Sequence, residues 1–149
     1  MNKAALILFL AALAFPAAVQ GKVIFSCTDQ RGKQILVTEQ NDRFRYRYGR
    51  KDTPELRFEN DRAEVLARSP RWDGKGRSAW VNLALENGNY RYTLYTSLDR
   101  LSSRRRAISG LIIQNAAASP DGTHRYIDVR KCKTTALTDF PAELALPAD

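Results

Sequence analysis

Residues 79–97, AWVNLALENGNYRYTLYTS, are two alternating runs around Asn-Gly-Asn. In an extended chain successive side chains point to opposite faces. Asn-Gly between two such runs is a strong short-range signal for a β-hairpin. Trp80, Asn82 and Ala84 share one parity against Val81, Leu83 and Leu85. On the returning run, Tyr90, Tyr92 and Leu94 oppose Arg91, Thr93 and Tyr95.

The rest of the chain repeats this grammar. KVIFSC (22–27) is apolar and β-branched, DQRG (29–32) is a turn, and KQILVTE (33–39) returns. QND (40–42) turns the chain again before RFRYRYG (43–49), and LRFEN (56–60) follows Pro54. Residues 61–68, DRAEVLAR, are too short for periodicity to choose between helix and strand. RSPRWDGKGRS (68–78) reads as an exposed loop, and DRLSSRRRAIS (99–109) interrupts the alternation with charge. ISGLIIQN (108–115) and RYIDVRKC (125–132) resume it on either side of a Pro-Asp-Gly turn. Short turns between consecutive strands imply antiparallel neighbours. The expected fold is all-β: one antiparallel small barrel or sandwich of about seven to nine short strands. The segment 136–149 loses the period and is expected to be a loosely held tail.

RFRYRYG also bears on function. Three arginines interleaved with three rings suggest a nucleic-acid platform, which needs rings and cations on one accessible surface. Alternation separates them. Phe44, Tyr46 and Tyr48 fall on one face, expected inward, and Arg43, Arg45 and Arg47 fall on the other. That disfavours nucleic acid as a partner.

The first line, MNKAALILFLAALAFPAAVQG, has a cationic start at Lys3, an apolar run from Ala4 to Phe15 and small residues near Gly21. This is the pattern of a cleaved secretory signal peptide (1–21), too short to span a membrane stably. The expected location is periplasmic or secreted. The domain proper would run over 22–135, and no second apolar run follows residue 22. Two cysteines, Cys27 and Cys132, stand near its two ends. In an exported chain an even count most simply means a disulfide. Zinc needs about four ligands, whereas the chain holds two Cys and one His. No metal or other cofactor is expected.

Candidate chemistry is sparse. His124 is the only histidine, and no nucleophile motif accompanies it. The carboxylates Glu39, Asp42, Glu55, Glu59, Asp61 and Glu64 all lie among cations. WDGKGRS (72–78) lacks the following helix that would aim amides at a phosphate. The expectation is a non-enzymatic protein, with a small hydrolase as a distant alternative. The formal charge is +8, one less once Lys3 leaves. A basic exported protein is suited to anionic partners: an acidic protein, a glycan or a lipid head group. The densest cations are Arg104, Arg105 and Arg106, and a second loop carries Arg71, Trp72, Lys75 and Arg77. These seven are the candidate binding residues, provided the two loops open at the same end.

The early strand ending in Cys (VIFSC), then RGKQILV, and a second Cys on a late strand resemble the bacterial periplasmic inhibitors of C-type lysozyme. The resemblance implies a small antiparallel β-barrel with a cysteine bridge, and lysozyme inhibition as an alternative function. That family places a Ser-Gly-x-x-Tyr loop in the lysozyme cleft. The nearest match here, SGLII from Ser109 to Ile113, lacks the Tyr and has the character of a strand.

Overall fold

The computed structural model describes residues 20–104 and 106–145. Residues 1–19, which hold most of the expected signal peptide, Arg105, and 146–149 lie outside the described residues.

The elements are β1 (Lys22–Thr28), β2 (Gln34–Gln40), β3 (Arg43–Gly49), β4 (Pro54–Asp61), α1 (Arg62–Arg68), β5 (Ser78–Asn87), β6 (Tyr90–Asp99), β7 (Ala107–Asn115), β8 (Tyr126–Lys131), β9 (Leu137–Thr138) and α2 (Ala142–Ala145). They form two antiparallel sheets, ordered β4-β3-β2-β1-β9 and β5-β6-β7-β8. Among the described residues the sheets do not join into a closed barrel, so the architecture is a sandwich.

Local chemistry explains the turns. Asn41 and Asp42 both adopt positive φ, 52° and 56°, as a type I′ turn between β2 and β3 requires. Gly88 takes φ 58° at the first turn position between β5 and β6. The ambiguous stretch after β4 is a helix because Asp61 caps it. Its carboxylate accepts from the amides of Ala63 (2.9 Å) and Glu64 (3.3 Å).

The helix turns the corner between the sheets, and its flanks close the exposed edge of β5. Asn60 accepts from Glu86 N (2.7 Å) and donates to Glu86 O (2.8 Å). Ser69 Oγ accepts from Ala84 N (2.9 Å) and donates to Val65 O (2.7 Å). Two side chains thus satisfy backbone groups that an edge strand would otherwise leave open. The opposite seam is covalent: Cys27 and Cys132 are disulfide-bonded, with Cα atoms 5.7 Å apart.

The rings of β3 point inward and its arginines outward, as alternation requires. Phe44, Tyr46 and Tyr48 are buried. They pack with Ile35 and Val37 of β2 against Leu83, Leu85, Tyr92 and Leu94 of the second sheet. Tyr46 stacks on Phe58 with ring centroids 4.7 Å apart, and Tyr92 completes the trio at 5.4 and 5.0 Å. Asp29 is the one buried carboxylate among the described residues, and it is fully used. It accepts from Arg31 N and Lys33 N (both 2.9 Å) and from the Tyr48 hydroxyl (2.9 Å). Asp29→Ala is therefore expected to cost about 3 kcal/mol in denaturant unfolding, because it strands a buried hydroxyl and frees the turn.

The expectation of a loose tail from residue 136 is corrected for 136–145. β9 pairs with β1, Asp139 N bonds to Ile24 O (2.8 Å), and Phe140 meets the Phe25 ring at 6.0 Å. Leu144 of α2 is buried in the core. The segment is aperiodic because each of its anchors is a single apolar residue filling a separate gap.

Candidate anion-binding end

Antiparallel order brings four strand ends together. At one end of the second sheet β5 begins, β6 ends, β7 begins and β8 ends. The loop 69–77 and the loop 100–106 both open there. They are tied to each other: the Arg100 guanidinium lies 5.3 Å from the Trp72 ring centroid and reaches the carbonyls of Gly76 (3.2 Å) and Gly74 (3.4 Å). Trp72 Nε1 donates to Lys75 O (2.8 Å), which folds the loop back on itself.

The convergence changes the roles of two expected binding residues. Trp72 is half-buried, one face covered by Arg100. Arg77 clamps Asp99 through two bonds, 2.7 and 3.0 Å. Both hold the loop rather than offer a free group. The bonds from Arg77, and then the amide of Leu101, hold the Asp99 carboxyl below its usual range. An unfolded aspartate titrates near pH ~3.9. The contribution of this clamp is thus complete above that value and is lost as pH falls through the lower folded value. Loop 69–77 is expected to stay closed at pH 5 and to open only in stronger acid, as Trp72 fluorescence would report.

Lys75, Arg104 and Arg106 are exposed and make no ion pair among the described residues, whereas the exposed Arg71 lies near enough to Glu143 to help hold that carboxyl below its usual range, after the bond from Arg62. Arg105 lies outside the described residues. Arg106 lines a concavity. The hollow is about 460 Å³, and Gln30, Tyr95, Ser109, Lys131, Lys133, Thr134 and Thr135 share it, with Cys132 in its wall.

The path of the chain explains the hollow. Cys132 N bonds to Ser109 O (2.9 Å), and Lys133 N crosses to Thr28 O (2.8 Å). Because Cys132 turns inward to its disulfide, Lys131 and Lys133 turn outward on the same side. Both are exposed and without a carboxylate among the described residues. Tyr95 lies across its register partner Gly110. A Cβ at Gly110 would come within 2.8 Å of Tyr95 Oη and would also meet Arg130 O. Gly110→Val is therefore expected to displace the Tyr95 ring, visible as shifted aromatic resonances, with a stability loss of about 1–3 kcal/mol. Ser109 Oγ and Thr96 Oγ1 share a hydrogen bond of 2.9 Å.

Sequence reasoning missed Lys131 and Lys133. The signal was present as Lys-Cys-Lys: a disulfide cysteine fixes which way its two neighbours point.

Three cations, four hydroxyl-bearing side chains and no carboxylate make a cradle for an oxyanion. His124 is at the other end of the second sheet, 3.3 Å from Asn115 O. Among the described residues no group of three or more His, Cys, Asp or Glu is disposed to hold a metal ion. The Ser109–Ile113 segment lies within β7 and not in a loop.

Compared with protein-family models, with curated proteins and with solved structures, the chain matches none. Among the described residues no helix is long and apolar enough to cross a membrane.

Proposed function

We propose that this chain is an exported, non-enzymatic binding domain of the bacterial envelope that takes an anionic partner at the basic end of its second sheet. The observation that carries the reading is the convergence of Arg106, Lys131 and Lys133 on one hydroxyl-lined hollow without a neutralising carboxylate. Isolated surface cations are a solubility device; three around a concavity have a common focus. Export is supported by the signal pattern of the first 21 residues and by the disulfide between the ends of the domain. The exposed Lys75 and Arg104, on the loops at the same end of the sheet, add to the positive field that draws an anion there.

The test uses three probes: a sulfated oligosaccharide, vesicles containing an anionic lipid, and polyglutamate. Binding to at least one is expected at low salt. The triple variant Arg106→Gln, Lys131→Gln, Lys133→Gln should weaken it by roughly tenfold or more, about 1.4 kcal/mol per decade. Its melting temperature should match the wild type, because all three side chains are exposed. Equal affinity of variant and wild type for every probe would sink the reading.

A further inference from the structure

A second cationic site lies on the outer face of the other sheet. There β2, β3 and β4 run in register, so that Leu36, Arg47 and Arg57 form one row and Thr38, Arg45 and Glu59 the next. Arg47 and Arg57 are thus direct cross-strand partners of like charge, an arrangement that destabilises a sheet. The neighbouring cations have carboxylate partners. Arg45 and Arg43 share Glu59 (3.0 and 3.6 Å), Lys33 takes Glu55 (2.7 Å), and Arg62 takes Glu39 (2.6 Å). Both carboxylates that flank Arg57 on its own strand are therefore engaged elsewhere.

Among the described residues Arg47 is held by neutral acceptors only, Gln34 Oε1 (2.7 Å) and Lys51 O (3.0 Å). Those bonds orient the guanidinium without cancelling its charge. Arg57 is exposed and has no hydrogen bond or ion pair among the described residues. Between the rows is a shallow hollow of about 650 Å³, lined by Arg45, Arg47, Arg57 and Glu59 together with Leu36, Thr38, Tyr46 and Phe58.

We infer that Arg47 and Arg57 together bind a tetrahedral oxyanion, a phosphate or sulfate group, in this hollow. Two opposed guanidiniums match a dianion that offers several oxygens, each side donating through a planar fork. A carboxylate carries half that charge. The bound anion would also remove the cross-strand repulsion that the free protein carries. This site is on a different sheet from the basic end and does not rest on the function proposed for it.

Thermal unfolding of the full domain at low ionic strength tests the inference, with inorganic phosphate and sulfate as probes and acetate and chloride at matched ionic strength as controls. Without oxyanion, Arg57→Thr is expected to melt above the wild type, since it removes the repulsion and places a good strand former. Phosphate and sulfate should raise the wild-type melting temperature by more than acetate or chloride does. That excess should vanish in Arg57→Thr and in Arg47→Gln, and persist in the triple variant of the basic end. Either of two results would overturn the inference: an Arg57→Thr that melts at or below the wild type, or a phosphate excess that survives both substitutions. A wild type that responds equally to all four salts would likewise overturn it, because screening alone would then account for the rise.

Discussion

Tyr46→Phe is expected to stabilise the domain by about 1–2 kcal/mol, while Tyr46→Ala destabilises it by about 3–5 kcal/mol. The asymmetry follows from where the residue sits. Its ring stacks on Phe58 and touches Tyr92 at the centre of the sandwich. Its hydroxyl is buried with no hydrogen-bond partner among the described residues. Removing the oxygen keeps the packing and relieves an unmet polar group, whereas removing the ring opens a cavity. Burial, opposed by the nearby Arg130 charge, also pushes the phenol well above the ordinary tyrosine range. Its folded form is therefore neutral at a pH where the unfolded phenol ionises. The stability associated with that difference is complete below pH ~10 and is lost as pH rises further. Tyr46→Phe should blunt the alkaline loss measured by denaturant unfolding at pH 8 and pH 11.

Reducing the Cys27–Cys132 bond should have the largest effect of any single covalent change. The bridge closes a loop with a sequence separation of 105 residues. In the chain-entropy treatment a loop of that size contributes about 4–5 kcal/mol, most of the stability of an ordinary small domain. It also joins the seam between β1 and the end of β8, where backbone bonds are few. Cys27→Ser with Cys132→Ser should shift the denaturation midpoint sharply downward. A double variant as stable as the wild type would mean that the seam holds without it. Because Cys132 also lines the hollow between Lys131 and Lys133, the same variant should weaken anion binding.

Much of the sandwich was legible because alternation is a local rule. RFRYRYG and the hairpin at Asn87–Asn89 place their side chains by parity alone. What escaped was set by exceptions to parity and by contacts remote in sequence. Ile24 and Phe25 are adjacent yet both buried, because a bulge lets neighbours in β1 share the core face. The tail packs through Phe140 and Leu144, each serving one gap, so no periodicity announced it. The two basic loops were foreseen as candidates, and their clustering at one end depends on strand order, which no local pattern encodes. Which arginines would be engaged was equally hidden. Arg77 found Asp99, and Arg100 found Trp72, only once β5 and β6 were paired.

The most direct test of the proposed anion-binding end is an amide-shift titration of the isotopically labelled domain with a sulfated oligosaccharide at 20 mM and 200 mM salt. The expected result is saturable shifts confined to Tyr95, Arg106–Ser109 and Lys131–Thr135. Affinity should fall steeply at the higher salt and be lost in the Arg106, Lys131, Lys133 triple variant. Shifts spread evenly over the cationic surface, or an unchanged affinity in the variant, would contradict it.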